Sequence, residues 1–188
     1  TNPILGVQTV RSGQLTDHCL RTRYRAIHRN VYVANDVEVT AELRARAAWL
    51  FAGPNAVLAG MSAAAVYGTK WLDPSSPAEV VRANRHGTAG LVVRSYALDD
   101  GEVCIRRGMR VTTAVRTAFD IGRLLPRPRA VPILDALFNA TRLDVADVLS
   151  LADRWPGARG VRAWRALAEL VDGGAESPRE SQVRLLLT

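Results

Sequence analysis

The chain opens on short apolar steps separated by turn residues. Leu5 and Val10 fall on one side of a helix over 5–12, and Gly13 supplies the left-handed turn that ends it. Thr16 is a ready N-cap for a second helix running to about Arg25, with Leu20 and Tyr24 four apart on its apolar side. The stretch AIHRNVYVAN then alternates as two short strands around His28, Arg29 and Asn30. Helix, glycine turn, helix and hairpin form the element order of a winged helix-turn-helix.

Longer periods follow. Leu43, Ala47 and Leu50 share a face of a helix over about 40–51, which Gly53-Pro54-Asn55 breaks. AVLAGMSAAAVYG predicts a short strand and a small-residue helix capped by Ser62. Pro74 and Pro77 bracket a loop. Strands are expected near 78–83, 91–97, 103–107 and 109–111. Thr112 or Thr113 begins a helix through TAVRTAFDIGRLL, and PRPRAVP is expected to be a linker. Helices over about 130–140, 144–155 and 160–171 end at Gly173-Gly174. The last stretch, AESPRESQVRLLLT, starts another helix with a capping box of Ser177 as N-cap, Pro178 and Glu180. Leu185, Leu186 and Leu187 need a surface, either the 160–171 helix or a further domain, and the further domain is expected.

These patterns predict an α+β fold: a winged helix-turn-helix over 1–37, a mixed α/β domain over 38–125, a helical segment over 126–174, and the first helix of a further domain over 175–188. At 188 residues with 48% hydrophobic and 23% charged positions, the chain can bury a good core. No apolar run reaches the length of a membrane span, and TNPILGVQTV does not read as a signal peptide. Cys19 and Cys104 make no disulfide framework, so a reducing cytoplasm is expected, with no membrane contact.

Charge changes this picture more than composition does. The formal net charge is +7, which points to a polyanionic partner. Of the 25 basic residues only Lys70 is lysine, and a GC-rich genome produces that skew in any protein. The excess sits in two blocks. Residues 1–30 carry five arginines against Asp17, and residues 78–130 carry ten against five acids.

The first block coincides with the helix-turn-helix pattern. Opposite Leu20, the second helix would present His18, Arg21, Thr22 and Arg25 to the edges of base pairs in the major groove of double-stranded DNA. Arg23, His28 and Arg29 would reach phosphates, the last two from the hairpin tip with Asn30. A solvated basic face is the plain alternative. In the second block, Arg82, Arg85, Arg94, Arg106, Arg107 and Arg110 alternate with apolar residues on strands. They could extend a DNA surface, grip an acidic protein, or form a solvated sheet face.

Other chemistry is sparse. The cluster Asp99, Asp100 and Glu102 is expected to solvate a turn. GMSAAA lacks the second glycine of a nucleophile elbow, and the three histidines show no ligand spacing. Trp49, Trp71, Trp155 and Trp164 are expected in cores. No catalytic residue, metal site or cofactor is expected within these residues.

GQLTDHCLRTRYRAIHRNVYV, then AELRARAAWLFAGPNAVLAGMSAAAVYG and RGMRVTTAVRTAFDIGRLLP, resemble the AbiEi-type antitoxin-like proteins of high-GC bacteria. The resemblance spans nearly the whole chain. It implies a winged helix-turn-helix before a mixed α/β domain, operator binding as a transcriptional regulator, and in some members a cognate toxin as partner. Many such proteins continue into a nuclease-like domain similar to very-short-patch-repair (Vsr) endonucleases with a PD-(D/E)XK core, whose first helix begins much like AESPRESQVRLLL. Glu180 would then be the first acidic residue of that site, with a divalent metal such as Mg. Without that domain, the cap itself and pairing with Arg184 account for Glu180. The function expected is double-stranded DNA binding, as a regulator or as the targeting part of a nuclease; the alternatives are an endonuclease whose catalytic domain lies outside this chain and a toxin-neutralising antitoxin.

Overall fold

The computed structural model describes residues 2–84, 86–174 and 177–186, with Arg184 and Leu185 as backbone only. The fold is α+β, with helices packed on two small sheets. The N-terminal unit runs β1 (Ile4–Leu5), α1 (Gly6–Arg11), α2 (Asp17–Arg23), β2 (Tyr24–His28) and β3 (Val31–Ala34). Its sheet has the order β1-β3-β2 and is antiparallel, with Ile4 opposite Tyr32 and Leu5 opposite Val31. Thr16 caps α2 by accepting from the Cys19 amide at 3.1 Å, as its position before the helix predicts. Leu20 from α2 and Val31 and Val33 from β3 are the buried anchors of this unit.

α3 (Ala41–Ala52), capped by Thr40, joins this unit to the next layer. One side meets β2 and β3, and the other meets α4 (Gly60–Val66) and β5 (Ala78–Val81). The second sheet adds β4 (Val57–Leu58), β6 (Leu91–Arg94), β7 (Val103–Arg106) and β8 (Met109–Thr112) in the order β6-β5-β4-β8-β7. It is mixed: β4–β8 and β5–β6 pair in parallel, β4–β5 and β7–β8 antiparallel. Ala45, Ala48, Leu58, Ala63, Val80 and Val111 close the space between the sheet and α3 and α4.

Ser62 does not cap α4, which begins two residues earlier with no side-chain cap of its own. Glu79 of β5 serves that end instead, its carboxylate accepting from the Met61 amide at 3.2 Å, while the Ser62 hydroxyl accepts from the Glu79 amide. Gly60 is required there. Its φ is +49°, and a Cβ would fall 2.6 Å from the Glu79 carboxylate.

The C-terminal helices are α5 (Ala114–Leu124), α6 (Arg127–Thr141), α7 (Val145–Arg154), α8 (Val161–Ala168) and α9 (Pro178–Leu186). Phe119, Leu134, Leu137, Val148 and Trp164 fill the core between α5 and α6–α8. The Trp164 indole lies where a Cβ on Gly122 would be, 2.1 Å from its Cε3. PRPRAVP is not a linker but the first turns of α6. Pro128 sits in the first turn, where amides have no helical partner, and Pro132 forgoes one bond inside a well-buried helix.

α9 lies against α6, not against α8. The buried Ser181 hydroxyl donates to Asp135 at 2.5 Å. Val183 and Leu186 stay exposed, while the Leu185 side chain and Leu187 lie outside the described residues. Trp71 also departs from expectation. Trp164 is fully buried, whereas Trp71 is 63% exposed with φ +64°.

Candidate nucleic-acid interface

Leu20 fixes how α2 is presented. With Leu20 buried, His18 and Thr22 point to the opposite side and Arg21 lies beside them, while Arg23, three residues on from Leu20, lies nearer Leu20's side; all four are exposed. The Thr22 hydroxyl donates back to the His18 carbonyl at 2.8 Å, which leaves its lone pairs facing outward. Arg21 reaches only the carbonyl of Asp17 in its own helix, at 3.3 Å. Arg11, in the last turn of α1, is exposed as well, although its place in the sequence does not single it out.

Two of the residues expected at DNA are engaged within the fold instead. α2 ends at Arg23, so Arg25 lies on β2 rather than on a helix face. Its guanidinium donates to the carbonyls of Asn35 and Val37, where it ties the hairpin to the segment leading into α3. His28 is 5% exposed and stacks on Phe51 of α3 with ring centroids 5.3 Å apart, so it cannot reach a phosphate. A bulge in β2 between Ala26 and His28 turns the imidazole inward. Burial, with Arg44 nearby, holds it below its ordinary value of 6.5.

The hairpin tip is likewise not a free wing. Asn30, at φ +63°, accepts from the Val7 amide at 2.8 Å, donates to Gln8 at 3.2 Å, and its carbonyl receives the Gly6 amide. Arg29 alone of this pair is exposed. On α2, His18, Thr22 and Arg21 therefore share the side away from Leu20, and Arg11, Arg23 and Arg29 are exposed elsewhere on the same N-terminal unit.

The second basic block is built differently. Arg94 donates to Glu79 at 2.8 Å, and Arg107 to Glu42 of α3. Arg106 covers the Tyr67 ring at 5.0 Å, and Arg82 lies over Phe51 while donating to the His86 carbonyl. Arg110 is exposed, and Arg85 lies outside the described residues.

Deeper, Arg116 of α5 bonds Glu102 and, at 3.0 Å, Asp120; Arg123 reaches Asp120 at 2.8 Å. Trp155 donates to Glu102 at 2.6 Å and Tyr96 to Asp120 at 2.7 Å. Burial and the Asp120 carboxylate push the Tyr96 phenol well above its ordinary value. Glu102 does not solvate a turn, as its neighbours suggested; it is 2% exposed, and only Asp99 and Asp100 face water. The sequence signal for this network was Arg116, Asp120 and Arg123 at helical spacing inside an otherwise apolar helix. The network borders a cavity of about 730 Å³ lined by Tyr96, Trp155, Arg154 and Arg159.

At α9, the Ser177 hydroxyl accepts from the Glu180 amide at 3.4 Å, the N-cap half of the expected capping box, and donates to the Glu180 carboxylate at 2.8 Å. Arg184's side chain lies outside the described residues. Among the described residues no group of three or more His, Cys, Asp and Glu has the arrangement of a metal site. No helix among them is long and apolar enough to cross a membrane.

No family model matches the chain. It is similar to two Mycobacterium tuberculosis proteins, "Uncharacterized protein MT2308" of strain CDC 1551 / Oshkosh and "Uncharacterized protein Rv2248" of strain ATCC 25618 / H37Rv. Each is 32% identical over 166 residues, covering 84% of this chain and 57% of the relative. The chain thus spans little more than half the length of the curated relatives it matches.

Proposed function

We propose that this chain binds double-stranded DNA through the outward side of α2. His18, Arg21 and Thr22 meet base edges, and Arg11, Arg23 and Arg29 meet phosphates. The observation that carries the reading is the state of the N-terminal arginines. Arg11, Arg21, Arg23, Arg25 and Arg29 are all exposed, and among the described residues none is ion-paired with a carboxylate. Unneutralised guanidinium groups on one rigid unit attract phosphate at long range and displace its counterions on contact. The α1–turn–α2 geometry supports reading these groups as a helix-turn-helix with a very short hairpin in place of a wing.

The resemblance to AbiEi-type antitoxin-like proteins makes a transcriptional regulator the preferred use of this binding. Gripping a toxin through the second basic block is the weaker reading, because Arg94, Arg107, Arg116 and Arg123 are already held by carboxylates of the same chain.

Fluorescence anisotropy on a labelled duplex, titrated at several salt concentrations, tests the proposal. Arg21→Ala combined with Arg23→Ala should weaken binding and flatten the slope of log K against log salt by about 0.9 for each phosphate left unneutralised. An unchanged slope in a variant that stays folded would remove α2 from the interface.

A further inference from the structure

We infer that His28 is an acid-sensitive latch: its neutral imidazole holds the β2–β3 hairpin on α3, and taking up a proton releases that hairpin. The device belongs to the hairpin and does not rest on the DNA reading.

The inference stands on where the ring lies and on what it lacks. His28 is 5% exposed, and neither Nδ1 nor Nε2 has a hydrogen-bond partner. A buried neutral imidazole without partners is tolerable next to Phe51. The imidazolium would bring a second N–H and a full charge into the same place, with no acceptor for either.

The surroundings add like charge. From α3, Arg44 faces the ring while its Nε donates to the Pro74 carbonyl at 2.6 Å. From the segment after β5, Arg82 covers the Phe51 ring at 5.8 Å. On the hairpin itself, Arg29 is the next residue. Asp73 also acts on Arg44, but its carboxylate is engaged by Ser75 at 2.7 and 2.8 Å and by Ser76 at 3.3 Å. Phe51 is therefore stacked by His28 and by a cation, in an environment that opposes a second charge.

The sign follows from linkage. A histidine held below its ordinary value in the folded state leaves folding unaffected above about pH 6.5. It weakens folding as pH falls below that, because only the released state takes up the proton. The linkage is local, so the hairpin and its contact with α3 open before the rest of the fold.

Two readouts test this. Histidine proton NMR distinguishes His28 from His18 and His86 by single substitution of each. His28 should stay neutral as the pH falls through its ordinary value of 6.5. Hydrogen exchange at Val31 and Val33, corrected for the intrinsic rate, should then lose about tenfold protection per pH unit below 6.5. His28→Phe should abolish that loss. Protonation of His28 in the folded protein at or above pH 6.5, or the same loss in His28→Phe, would overturn the inference. Should His28→Phe not fold, Arg44→Gln serves: it should move His28 toward its ordinary value and shrink the acid-dependent loss, and an unmoved profile refutes the latch.

Discussion

The two arginine-rich stretches carry similar formal excess, five arginines against one acid over 1–30 and ten against five over 78–130. On the N-terminal unit the guanidinium groups face solvent or donate to backbone carbonyls. Around the second sheet and α5, several meet carboxylates from neighbouring elements, as Arg94 does with Glu79, Arg107 with Glu42 and Arg116 with Glu102. Net charge therefore misstates where the protein attracts an anion. A paired guanidinium in a packed layer organises the fold, and an unpaired one on a surface projects a field.

Substitutions sharpen that contrast. Arg116→Ala leaves Glu102, 2% exposed, without its cation, while Asp120 keeps Arg123 and Tyr96, and should cost about 3–5 kcal/mol in urea unfolding. If it unfolds like the wild type, the buried network is not what joins α5 to its neighbours. Gly122→Ala, in the same helix, drives a methyl into Trp164 and should cost about 1–3 kcal/mol, read from the shift in midpoint.

Arg25→Ala should behave as a structural change despite its place in the first block. Losing two bonds to Asn35 and Val37 should cost about 1–2 kcal/mol and speed hydrogen exchange in 24–37. An Arg25→Ala protein of wild-type stability that binds DNA less well would return Arg25 to the interface. At the other end of the scale, Arg21→Ala with Arg23→Ala should leave stability within about 0.5 kcal/mol while weakening DNA binding and flattening its salt dependence.

The order of helices and strands was legible because each element carries its own period and its own cap, as Thr16, Thr40 and Thr113 show by each accepting from a first-turn amide. The fate of individual side chains in the site was less so. YRAIH suits the end of a helix as well as a strand, and only pairing with Val31–Ala34 decides for the strand and moves Arg25 off the helix. The bulge that buries His28 has no local signature, since it depends on Phe51 waiting on α3. Proline content points the wrong way over 126–132, because prolines near a helix start are neutral there. Glu102 sits in an acidic cluster whose other members do face water, and its burial depends on Trp155, 53 residues away in sequence.

Arg116 separates base composition from chemistry. Its Nε meets Asp120, one terminal nitrogen meets Glu102, and the other donates to the Ala97 carbonyl at 3.3 Å. The flat cation also lies within 4.8 to 5.9 Å of the Tyr96, Trp155 and Phe119 rings. An ammonium is a single point on a flexible stem and cannot address those partners together or stack between the rings. Across most of the surface, at Arg11 or Arg23 for instance, lysine would serve a phosphate nearly as well. At residue 116 the exchange is closed, so a lineage drifting toward AT-rich codons could recode surface arginines such as Arg11 and Arg23 long before that one.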